Sequence, residues 1–179
     1  MLLFKSQNRF EQVLALSLIL TGVILRLAPH PDNFAPTTAL AIFSGVVLPP
    51  ALAFTVPLLI MMVSDLWIGM HPLFWLIWPT FALVTWVGYQ IRAKEGVLPL
   101  LSASIAGSVV FFVISNLGVF LFENMYAKSW RGLVECFTMA IPFFRNAFLG
   151  DLFYTTVFFS LFSFAKVLRT SFQGERLGN

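Results

Sequence analysis

The sequence predicts an all-α polytopic membrane protein with six transmembrane helices, and three observations carry that prediction. Of its 179 residues, 59% are apolar and only 11% charged, against roughly a quarter charged in ordinary soluble domains. Prolines, glycines and polar residues cut the chain into six apolar runs, at about 10–27, 35–48, 51–66, 73–91, 98–122 and 145–168. Six spans of about 20 residues would use roughly 120 positions, so a single membrane domain over 1–179 leaves no room for a separate soluble catalytic domain.

The first run follows Lys5 and Arg9 in the manner of a secretory leader, but no small-x-small cleavage site comes after it. The next residues are Arg26, Leu27, Ala28 and Pro29, so a retained first helix is expected. The second and third runs are short and meet at Pro49-Pro50. Tandem proline removes two amide donors and disfavours a continuous helix. Two helices sharing a tight turn are therefore predicted, with one kinked helix from Phe34 to Ser64 as the alternative. Arg92, Lys94, Glu95 and Gly96 separate the fourth run from the fifth. The segment from Glu123 to Phe144 is apolar enough for a short interfacial helix ending near Pro142, acting as a lid or an anchor. The sixth helix then opens at Arg145.

With the N-terminus inside, the cytoplasmic segments hold the bases Lys5, Arg9, Arg92, Lys94, Lys166, Arg169 and Arg176 against the acids Glu11, Glu95 and Glu175. The outer side holds Arg26, Lys128, Arg131 and Arg145 with Asp32, Asp65, Glu123, Glu135 and Asp151. Positive-inside topology is obeyed, and the net charge of +3 reads as a topology signal rather than a nucleic-acid surface. No phosphate-loop motif occurs, so ATP-driven work would come from another chain. Cys136 is the single cysteine, which excludes an intramolecular disulfide and a cysteine-rich metal site. Neither a metal nor a cofactor is expected.

Arg26, Asp65, Arg145 and Asp151 lie within or beside apolar runs. A charge there costs at least about 2.5 kcal/mol at mid-helix and persists only when paired or functional. All four fall toward the outer side, which predicts an outward-opening polar pocket walled by helices 1, 3 and 6 and roofed by three loops. The first loop, Arg26-Leu-Ala-Pro-His-Pro-Asp-Asn-Phe-Ala-Pro36, is stiffened by three prolines. It either presents His30, Asp32 and Asn33 to a ligand with little ordering entropy to lose, or simply caps two helices.

The stretch from Ser64 to Trp78 sets Asp65 and His71 among Trp67, Trp75 and Trp78. Flat aromatics beside a few polar groups suit a ring-shaped ligand. An interfacial aromatic belt would also explain Trp75 and Trp78, and an ion pair with Arg26 or Arg145 would explain Asp65. On helix 6, Asn146, Gly150 and Tyr154 recur every four residues on one face, with Asp151 on a neighbouring strip. That face would line the pocket or, at Gly150, pack on another helix. The expected ligand-binding set is therefore Arg26, His30, Asn33, Asp65, Trp67, His71, Arg145, Asn146, Asp151 and Tyr154. Small residues four apart, Ala41 with Gly45, Ser104 with Ser108 and Ala103 with Gly107, permit close helix approach, for internal packing or for docking a partner.

Together these features resemble the substrate-binding S components of energy-coupling factor (ECF) transporters. The stretches Arg26 to Pro36, Ser64-Asp65 and Ile141 to Asp151 resemble a group of uncharacterised bacterial S-component-like membrane proteins, and more loosely the BtuM-type S components that take up cobalamin. The resemblance implies a bacterial inner-membrane protein, both termini cytoplasmic, that captures a vitamin or related micronutrient outside and releases it inside. Cobalamin is one candidate ligand. It implies pocket roles for His30, Asp65 and Arg145. It also implies an ECF module, a coupling subunit with two ATPases, as partner, or else solitary action. Two other readings stay open. One is a cell-envelope assembly protein of the MreD kind, which needs no pocket. The other is an intramembrane enzyme using Asp65 and Asp151 as an acid/base pair, although the G-x-G-D signature is absent before Asp151.

Overall fold

The computed structural model describes residues 9–177, with side chains to residue 167. Its helices are α1 (Arg9–Leu27), α2 (Thr37–Val47), α3 (Pro50–Ile68), α4 (Phe74–Gln90), α5 (Val97–Phe122) and α6 (Trp130–Leu177). Of these, α1, α3, α5 and the Trp130–Val167 part of α6 are long and apolar enough to cross a membrane. Val13, Leu16, Leu20 and Ile24 form an exposed apolar stripe along α1, and Ile105, Val109, Val113 and Leu117 do the same on α5. Stripes this long facing outward belong in lipid rather than water. The chain is a helical membrane protein.

The short α2 is the centre of the body. Every residue from Thr37 to Gly45 is buried, and α2 packs against all five other helices. At about 1.5 Å per residue it covers roughly half the hydrocarbon thickness of a bilayer, and it is a short apolar helix outside the four that are long enough to cross. Tandem proline does separate it from α3, which begins at Pro50. The α2 terminus is closed by Arg92, whose Nη2 donates to the Leu48 carbonyl while its guanidinium lies 4.4 Å over the Tyr89 ring.

Two glycines let α2 and α4 approach so closely. A Cβ at Gly45 would run into the Thr85 carbonyl, and one at Gly88 into the Ile42 carbonyl. The small residues Ala41, Ala103, Ser104, Gly107 and Ser108 are likewise buried. These faces serve internal packing, which removes them as a surface for a partner subunit. Around Phe43 the rings of Phe158, Phe159 and Phe162 close the other side of the core, at centroid distances of 4.9–6.2 Å.

Pro57 sits inside α3 and cannot donate to the carbonyl four residues earlier. The Ser44 hydroxyl on α2 lies 3.0 Å from that Ala53 oxygen and 2.9 Å from its own Ala41 oxygen, and donates there. Ser44→Ala is therefore expected to cost about 1 kcal/mol. The cost should shrink when Pro57→Ala restores the missing amide, as a double-mutant cycle of thermal unfolding in detergent would measure. Equal cost in both backgrounds would show that the hydroxyl does not serve Ala53.

One expectation is corrected. No interfacial helix ends near Pro142: α6 runs unbroken from Trp130, with Pro142 inside it. Proline forfeits one hydrogen bond, whereas ending a helix in apolar surroundings would strand several backbone groups. Cys136 lies within α6, fully buried with Sγ 3.5 Å from the Asn116 carbonyl.

Candidate ligand cavity

Where α1, α3 and α5 end and α2 and α4 begin, the helices part around a cavity of about 350 Å³. All six helices contribute to it. Phe74, Phe81, Phe111, Phe112, Phe143 and Phe144 make its walls aromatic, and polar groups enter from Arg26, Asn33, Thr37, Thr38, Asp65, His71, Ser108, Ser115, Asn116 and Asp151. Phe112 and Phe144 face each other at 4.5 Å.

Arg26, at the C-terminus of α1, holds one edge. Its Nη1 bonds Asp65 Oδ1 at 2.7 Å, contacts the Ser64 hydroxyl and reaches the Met61 carbonyl at 3.5 Å. Trp78 Nε1 donates to the other oxygen of Asp65 at 2.8 Å. Asp65 is 4% exposed and Arg26 18%, so both oxygens of a buried carboxylate are occupied by protein donors. Arg26, not Arg145, is the partner of Asp65, and Trp78 contributes to this network rather than only to a belt.

Asp151 on α6 is different. It is 2% exposed, accepts from Ser108 Oγ at 2.6 Å and lies beside the Thr38 hydroxyl. The polar set continues as Thr155 Oγ1 donates to Ser104 Oγ at 3.2 Å. Among the described residues no basic side chain pairs with Asp151. Its helix phase explains its place: Ala140, Phe144, Ala147 and Asp151 line the cavity at spacings of four, three and four, which keeps them on one strip of a helix with about 3.6 residues per turn.

Of the ten residues expected at a pocket, Arg26, Asn33, Asp65, His71 and Asp151 line this cavity. His71 Nδ1 accepts the Leu73 amide at 3.0 Å. The other five do not line it. His30 turns its ring to the Pro31 and Arg26 carbonyls. Trp67 is 78% exposed, because two residues along a helix from Asp65 is more than half a turn away. Arg145 is exposed on α6.

Asn146 and Tyr154, with Gly150 between them, form the face that receives the first loop. Asn146 donates to the Asp32 carbonyl at 3.1 Å, a Cβ at Gly150 would press on Phe34, and the Tyr154 ring lies 5.6 Å from that of Phe34. The proline-rich loop is thus pinned to α6, with Asn33 in a left-handed turn (φ 61°) that asparagine tolerates.

Sequence reasoning missed α5, which supplies Ser108, Phe111, Phe112, Ser115, Asn116 and Val119. The signal was there: Ser108, Ser115 and Asn116 recur at seven and eight residues on one side of an otherwise apolar helix.

Neither a curated protein nor a solved structure matches the chain. Residues 6–173 match DUF6580, a family of unknown function. Nearly the whole length is covered, and the chain belongs to that family.

Proposed function

We propose that this protein is a substrate-binding membrane protein that takes up a compact, ring-bearing micronutrient, in the manner of an S component. One observation carries the reading: an aromatic cavity of about 350 Å³ at one end of the helical body, furnished with Arg26–Asp65 and Asp151. Aromatic walls with a few placed polar groups are the usual composition of a small-molecule site. The volume equals roughly a dozen waters, which favours a compact ring over the much larger cobalamin.

In this reading six segments pack within the inner membrane with both termini cytoplasmic. The basic residues Arg92, Lys94 and Lys166 lie at the end of the body opposite the cavity, so positive-inside orientation turns the cavity outward. Energy would come from an ECF module or from the ligand gradient. An envelope-assembly role needs no such cavity. An aspartyl acid/base pair is disfavoured because Asp65 and Asp151 are held by different partners.

The test is to purify the protein in mild detergent from rich-medium culture and identify co-purified small molecules by mass spectrometry. One stoichiometric ligand is expected, lost when Ala147→Trp fills the cavity. Arg145→Ala should retain it as the parent does, since Arg145 lies outside the lining. An empty parent that also fails to accumulate any micronutrient in cells would overturn the reading.

A further inference from the structure

We propose that the ligand carries a protonated amine or ring nitrogen, and that Asp151 receives it. The inference rests on the uptake reading and adds the ligand's charge. The cavity holds two acids with different partners, one ion-paired and one bonded only by hydroxyls. Asp65 has a guanidinium on one oxygen and an indole N–H on the other. Asp151, buried more deeply, has only hydroxyl neighbours, Ser108 and Thr38, and no cationic partner among the described residues.

An acid within a membrane body either holds its proton or is paired with a group of opposite charge, and a bound cation would stabilise its charged form. Among the described residues no basic side chain pairs with Asp151, and Arg26 is committed to Asp65. The beginning of α2 at Thr37 and Thr38 adds only the partial positive charge of a helix terminus. A ligand cation entering the cavity would meet Asp151 in its lining. Phe81, Phe111, Phe112 and Phe144 line the same cavity, and an aromatic face turned into it would attract a cation within about 6 Å. One acid against an aromatic wall recognises a ring-bearing ammonium. It rejects a carboxylate of the same shape, because two like charges would share a buried site.

Three indole probes of nearly equal size test this on the full-length protein in detergent, by equilibrium dialysis at neutral pH: tryptamine, its neutral alcohol analogue tryptophol, and indole-3-acetate. Tryptamine is expected to bind at least about tenfold more tightly than tryptophol, with indole-3-acetate weakest. Asp151→Asn should bring tryptamine and tryptophol together. Should that variant fail to fold, the ranking of the three probes on the parent decides alone. Tryptophol or indole-3-acetate binding as tightly as tryptamine would overturn the amine assignment, as would no tryptamine binding or an unchanged ranking in a folded Asp151→Asn protein. A neutral or anionic co-purified ligand that Ala147→Trp displaces would overturn it too, while leaving the uptake reading intact.

Discussion

Arg26→Ala is expected to destabilise the protein by about 3–5 kcal/mol, the cost of leaving one partner of a buried ion pair alone. Asp65 would keep only the Trp78 indole, and the Ser64 hydroxyl and Met61 carbonyl would lose a donor. The loss should appear as a large drop in the detergent melting temperature. Arg26→Gln combined with Asp65→Asn removes both charges and keeps hydrogen-bonding groups near one another. That double variant should recover much of the stability, and together with Arg26→Gln and Asp65→Asn alone it closes a cycle that isolates the pairing from the separate effects of each side chain. A double variant no more stable than Arg26→Ala would mean that the unpaired carboxylate is not what destabilises the single one.

Gly45→Ala and Gly88→Ala are expected to have the next largest effect. Each adds a methyl group directly against a backbone carbonyl of the opposing helix. Backbone cannot swing aside as a side-chain end can, so α2 and α4 must separate. Because α2 also packs on α1, α3, α5 and α6, that shift spreads through the body. Overpacking of this kind costs about 1–3 kcal/mol or more, and each variant should show reduced monodisperse yield and an earlier melting transition. Gly107→Ala is the control: its methyl would meet the side-chain ends of Ile42, Thr38 and Val84 at 3.1–3.2 Å, which can yield. Gly45→Ala melting no earlier than Gly107→Ala would show that the α2–α4 contact is not limiting.

Five of the six helices lie within about two residues of the apolar runs, inside the ordinary uncertainty of helix ends. The sixth does not, and the reason lies in three prolines. Hydropathy carries α3 and α4 through Pro57 and Pro79 without a break. At Pro142 the neighbouring polar residues Glu135, Arg145 and Asn146 suggest a boundary that the backbone ignores. A proline alone does not tell whether a carbonyl it strands will find a donor. Ser44 answers that for Pro57 from a different helix.

The cavity divides in the same way. Arg26, Asp65 and Asp151 stand out in the sequence because ionisable groups inside apolar runs are costly, so a role for each was legible without coordinates. Helix phase alone would have turned Trp67 away from Asp65 and grouped Ala140, Phe144, Ala147 and Asp151. Composition and punctuation were thus enough for the membrane class, the helices and the acids that need an explanation, since each follows from the solvation of single residues or short runs. The choice of Arg26 over Arg145 for Asp65, the seating of the first loop on Asn146, Gly150 and Tyr154, and the isolation of Asp151 among hydroxyls came from the packed body. Those pairings join residues as far apart as 114 positions. They depend on how a half-length helix is enclosed by five others, which no local pattern encodes.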